Sequence, residues 1–86
     1  MPRKNYLQET EEVKRRFIRS FEELRYRGLV KTKREFCQAV GLGVSANMSR
    51  MEREGREPSV TNILLLHKKF NVSIEWIMLG EGEFII

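Results

Sequence analysis

The sequence predicts an all-α fold, a compact bundle of five helices around a single core. Three features point there. Apolar residues recur at steps of three and four along successive segments, the spacing that lines one face of a helix. The segments are bounded by Ser or Thr at their starts and by Gly or Asn at their ends, residue types that suit helix caps. Strand-like patterning is confined, weakly, to Glu83-Phe84-Ile85-Ile86.

Residues 1–9 read as a loose basic arm. A first helix is expected from about Leu7 or Thr10 to Arg27, with Val13, Phe17, Phe21 and Leu24 on one apolar face and Lys14, Arg15, Arg16 and Arg19 on the others. Gly28 ends it, and Leu29-Val30 turn the chain back towards the core. Thr32 opens the second helix in a capping box with Glu35, each side chain accepting from the other residue's backbone N–H. Phe36, Ala39 and Val40 give this helix its apolar stripe. Gly41-Leu42-Gly43 breaks it, because glycine tolerates the left-handed conformation common at helix C-termini. Ser45 is expected to cap the third helix, which runs to Glu54 and buries Met48 and Met51. A turn follows at Gly55-Arg56-Glu57-Pro58-Ser59, where Pro58 disfavours a helical residue before it and Ser59 is a good N-cap. The fourth helix, Val60 to Phe70, sends Ile63, Leu64, Leu66 and Phe70 inward. Asn71-Val72 forms a break, Ser73 caps a short fifth helix to Leu79, and Gly80 and Gly82 stop it. Trp76 plugs the core where this helix meets the others, and residues 81–86 form a short apolar tail.

A chain of 86 residues reads as one domain. A domain of that size buries only roughly 60% of its unfolded surface, which leaves little room for a substrate pocket beside the core. The net charge of +4 suits a polyanionic partner. Its distribution is uneven: residues 1–34 carry 11 Lys and Arg against 5 Glu, and residues 35–86 carry 5 against 7. The basic footprint is therefore expected mainly on the first helix and the entry to the second, joined by Arg50, Arg53 and Arg56. Cys37 is the only cysteine, which rules out an intrachain disulfide and a thiolate cluster and reads as a small core residue. His67 is the only histidine and has no second ligand near it in sequence, so a structural role is expected. The Glu22-Glu23 and Glu52/Glu54 pairs lack a histidine, nucleophile or glycine-rich loop to work with; Glu52 is expected to pair with Arg53, Arg56 or a first-helix cation. No enzyme activity, metal or cofactor is anticipated. The charged N-terminus does not read as a secretory leader, and the apolar run Ile63 to Leu66 is too short to span a membrane. A reducing cytoplasm is the expected compartment.

The functional signal lies in residues 32–54. Two short helices joined by a glycine-bearing turn form the unit that places a helix end in the major groove of DNA. With Met48 and Met51 inward, Ala46, Asn47, Ser49, Arg50 and Arg53 fall on the other faces of the third helix. Residues near its N-terminus enter the groove deepest, so Ser45, Ala46 and Asn47, with Arg50 one turn on, are the candidate base readers. Arginine presents a planar fork to guanine O6 and N7, and asparagine can bond adenine N6 and N7. Lys33, Arg34, Ser49, Arg53 and Arg56 are assigned to phosphates.

From about Phe17 to Glu83, the order of helices and turns resembles the helix-turn-helix domain of the phage repressor and Cro class, the xenobiotic-response-element family. Ser49-Arg50-Met51-Glu52 looks like that family's Ser-x-Ile-Glu, and Arg56-Glu57-Pro58-Ser59 is similar to its Arg-x-Pro-Ser turn. The stretch from Phe70 to Gly80 resembles its closing Leu-Gly-Val-Ser-x-x-Trp-Leu-Leu-x-Gly. The chain departs from the pattern in three places: two extra residues follow Gly28-Leu29, Lys33 stands where glutamine is frequent, and the turn at Gly41 to Val44 is one residue longer. The resemblance implies a phage-repressor-like five-helix fold.

The expected function is a sequence-specific, double-stranded-DNA-binding transcriptional regulator, a repressor, acting as a cytoplasmic homodimer. Its candidate dimer surface is the apolar end of the chain, Trp76 to Ile86. The alternative is an antitoxin-like protein-interaction module with secondary DNA binding, which the tail Phe84-Ile85-Ile86 would serve by holding a small protein partner. A nucleic-acid binder without sequence preference, directed to RNA, is disfavoured because its aromatics would have to face outward to stack on bases.

Overall fold

The computed structural model describes the backbone of residues 2–86 and the side chains of residues 8–86. Five α-helices follow one another among the described residues: α1 (Pro2–Tyr26), α2 (Lys33–Ala39), α3 (Ser45–Glu54), α4 (Val60–Phe70) and α5 (Ile74–Leu79). No strand forms among these residues, and no helix is long and apolar enough to cross a membrane. The segment expected as a loose arm, residues 1–9, is instead helical from Pro2; Met1 and the side chains of residues 2–7 lie outside the described residues.

Phe17, Phe21 and Leu24 step along α1 at helical spacing and are buried, as are Phe36, Cys37 and Val40 beneath them. The Phe36 ring is tilted against both Phe17 and Phe21, with centroids 5.8 and 5.4 Å away, within the range where ring pairs add to simple burial. Met48, Met51, Leu66, Val72 and Ile77 complete the centre. Arg16, expected on an outer face of α1, turns inward at its tip. Its Nε donates to the Ile77 carbonyl at 2.7 Å and its Nη2 to the Met78 carbonyl at 3.0 Å. These are among the carbonyls left without intrahelical partners at the end of α5.

In α4 the inward stripe differs from the expected one. Leu66 is buried, Ile63 and Phe70 partly so, but Leu64 faces outward and Asn62 takes a buried position. Asn62 is satisfied there: its Nδ2 donates to the Val40 carbonyl at 2.7 Å, and its Oδ1 accepts from the Ser59 backbone at 2.9 Å. Ser59 Oγ accepts from the Asn62 backbone in return, so α4 starts with a capping box that also ties it to the end of α2. His67 Nδ1 lies 3.0 Å from the Val72 carbonyl; a carbonyl only accepts, so that nitrogen carries the proton.

The apolar tail is folded in, not left exposed. Val72 and Ile85 form an antiparallel bridge, the Ser73 N–H donates to the Phe84 carbonyl at 2.8 Å, and the Ile86 N–H donates to the Asn71 carbonyl at 3.1 Å. Phe84 is only 8% exposed and meets the partly buried Trp76 edge-on, with centroids 4.6 Å apart. Arg27 lies over the Phe84 ring, 5.4 Å from its centroid. Of the tail, Ile86 alone is a largely exposed apolar side chain.

Candidate nucleic-acid interface

The seating of α3 begins in the preceding turn. Gly41 has φ +82°, and a Cβ placed on it would come within 3.1 Å of the Leu65 side chain. The positive φ is the constraint that calls for glycine. The Leu42 N–H donates to the Cys37 carbonyl at 2.8 Å, which closes the end of α2 and reverses the chain. Met48 and Met51 then fix the inward face of α3, with Met48 Sδ 3.9 Å from Cys37 Sγ. Burial pushes the Cys37 thiol above its ordinary value, against a smaller opposing pull from the Lys33 ammonium, so it stays a neutral core group.

The N-terminus of α3 departs from expectation. Ser45 does not cap the helix; it is the first helical residue, half-buried, and Val44 is the N-cap, with no side-chain hydrogen bond. The positive φ of Gly43 carries the turn one residue further, so the hydroxyl arrives one position too late. At α2 the expected cap is present, with Thr32 Oγ1 accepting from the Glu35 N–H at 3.1 Å. The Glu35 carboxylate, however, accepts from the Lys31 N–H at 3.2 Å and not from that of Thr32, so the box is offset by one residue.

Asn47 is drawn away from the outer face. Its Nδ2 donates to the Leu42 carbonyl at 2.6 Å, and it lines a small polar groove with Arg56, Ser59 and Asn62. One N–H of that amide is engaged by the turn, and its second N–H with Oδ1 keeps the donor–acceptor pair that adenine requires. Ala46, Arg50 and Arg53 are exposed on the face away from Met48 and Met51, with Ser49 half-buried at their edge. Lys33, in the first turn of α2, donates from Nζ to Ser49 Oγ at 3.1 Å and so links the two helices beside this face. Arg34 is exposed next to it.

Among the described residues, Arg34, Arg50 and Arg53 make no ion pair, and Glu52 forms none with the cations expected to hold it. Glu54 pairs with Arg56 at 3.7 Å, leaving Arg50 unclaimed by the carboxylate four residues on. Among the described residues, cations of α1 and of the turn after it are more committed than their number implied. Lys14 is buried against Glu11 at 2.8 Å, Arg16 caps α5, Arg25 lies over Phe21, and Arg27 pairs with Glu23 at 4.0 Å. The hydrogen bond from Lys14 holds the Glu11 carboxyl below its ordinary value. The positive charge left free beside α3 therefore comes chiefly from α2 and α3.

Sequence reasoning missed Val44 and the Lys33–Ser49 link. A signal for the first was present: with Ser45 as N-cap, the N3 position would be Met48, which cannot return a capping bond. Nothing in sequence spacing announces the second, a contact between different helices. Comparison of the chain with protein-family models, curated proteins and solved structures finds no match.

Proposed function

We propose that this chain is a sequence-specific, double-stranded-DNA-binding transcriptional regulator of the phage-repressor-like helix-turn-helix type, with α3 as the helix that enters the major groove. One observation carries the reading. α3 is held from behind by Met48 and Met51 while its outer face offers Arg50 and Arg53 unpaired, flanked by Lys33 and Arg34. An arginine free of carboxylates on a rigid helix is available to a guanine edge, and cations around it are available to phosphates. Arg50 and Ala46 are the base readers, with Ser45 at the helix entry; Lys33, Arg34, Ser49, Arg53 and Arg56 hold the backbone.

The regulator acts as a homodimer, because one short domain contacts too few base pairs to single out a site among competing genomic DNA. Dimerisation uses the exposed Met78 and Leu79 of α5, beside Val60 of α4. Operator occupancy by two α3 helices one turn of DNA apart then represses transcription.

The reading is tested by titrating the protein with duplex DNA over a range of salt. Each phosphate neutralised contributes about 0.9 to the slope of log affinity against log salt, so the phosphates neutralised by Lys33, Arg34, Arg53 and Arg56 of both protomers give a slope of about −7. Arg53→Ala should flatten that slope and weaken binding to all duplexes alike. An affinity independent of salt, or no binding at low salt, would rule the function out.

A further inference from the structure

We propose that the apolar groove at the dimer face also docks a basic amphipathic helix of another protein, and that this helix displaces the second copy. The inference rests on the dimer proposed above and adds what controls it.

The groove has a volume of about 430 Å³. α1 lines it with Val13, α4 with Val60 and Ile63, and α5 with Met78 and Leu79. Val60 is 83% exposed, Leu79 64% and Met78 44%, so large apolar side chains from two helices meet solvent at one place. An apolar cleft between helices accepts the apolar face of a further helix, whose anchors recur at i, i+3, i+4 and i+7.

The charge at the edge decides which helix. Glu9 and Glu57 line the groove itself, and Glu12 joins Glu9 where the cleft continues past Met78 and Leu79. All three are exposed and form no ion pair among the described residues. Arg16, at the same edge, is turned to the Ile77 and Met78 carbonyls and pairs with none of them. A chain of net charge +4 thus gathers unpaired carboxylates around its exposed apolar groove. Two copies meeting about a two-fold axis through this face set the carboxylates of one against those of the other, and like charges across an interface are penalised. A basic helix buries the same apolar side chains and meets Glu9, Glu12 and Glu57 with lysine or arginine, whose stems extend the apolar contact. It therefore outcompetes the second copy and leaves each protomer to hold a single half-site alone.

The test uses the full chain and two synthetic helices of about 15 residues. Both carry Leu at i, i+3, i+4 and i+7; one has Lys and the other Glu at the remaining positions. The lysine helix should bind at least about tenfold more tightly than the glutamate helix. Light scattering should show the dimer mass falling to the monomer mass as it binds. A Glu9→Lys, Glu57→Lys double variant, changed at two exposed positions, should keep the wild-type melting temperature and reverse the preference. Equal binding of the two helices, binding of neither, or a preference that the double variant leaves unchanged would overturn the docking and leave the dimer standing. Binding of the lysine helix with the dimer mass intact would overturn displacement. A wild type that is monomeric without peptide would overturn the dimer and displacement together, while the comparison of the two helices still decides the docking.

Discussion

Two asparagines show how little a residue type says until its partners are known. Both turn their amides to backbone carbonyls: Asn47 to Leu42 and Asn62 to Val40. Asn62 is buried, so its two side-chain bonds replace water it can no longer reach. Asn62→Ala should lower the urea-denaturation stability by about 1–3 kcal/mol, since it strands the Val40 carbonyl and the Ser59 N–H. Asn62→Asp should not restore it, because a carboxylate cannot donate to Val40. Unchanged midpoints in both variants would remove Asn62 from the structural account. Asn47 is the less buried of the two, and its bond to Leu42 ties the start of α3 to the preceding turn.

At the scale of elements, the orientation of α3 relative to α2 decides which side chains the proposed DNA-reading face presents. Cys37 and Met48 pack from within, the Gly41 turn sets the reversal, and Lys33 bonds Ser49 across the outside. If Lys33 and Ser49 grip a phosphate as one unit, Lys33→Met and Ser49→Ala should each weaken DNA binding. The double variant should bind only slightly less well than either, a coupling of about 0.5–3 kcal/mol. Strictly additive losses would mean two separate contacts. Much of this level was legible in the sequence. Periodicity with Ser59 and Ser73 as caps located α4 and α5, and the methionine spacing fixed the inner face of α3. What escaped depends on a single-residue offset or on a distant partner. The positive φ of Gly43 moves the cap from Ser45 to Val44, and the start of α1 at Pro2 lies where apolar periodicity is thin. The inward turns of Arg16 and Asn62 depend on α5 and Val40, which a helical wheel does not show.

For the whole molecule, the fold and the proposed dimer use the same end of the chain through different residues. Phe84 and Ile85 serve the fold through Trp76 and Val72, so deleting the tail should lower the melting temperature and is a poor probe of dimerisation. Leu79 is 64% exposed and beyond that packing. Leu79→Glu should therefore leave the melting temperature within a few degrees while halving the mass found by light scattering; a wild type that is monomeric on and off DNA would defeat the dimer. Charge points the same way at this scale, because Lys14 and Arg16 of α1 are engaged by Glu11 and the end of α5, while Arg34, Arg50 and Arg53 beside α3 make no ion pair among the described residues. The most direct test of the central claim, that α3 reads sequence through its outer face, is selection of bound duplexes from a random library by the wild type and by Arg50→Ala. The wild type should enrich a two-fold symmetric motif with half-sites about 10 base pairs apart. Arg50→Ala should lose the preference at one base pair per half-site, at a cost of about 1–3 kcal/mol, and lysine at that position should not restore it for want of the planar fork. A motif unchanged by Arg50→Ala, with affinity lowered uniformly, would make Arg50 a phosphate clamp and contradict the claim.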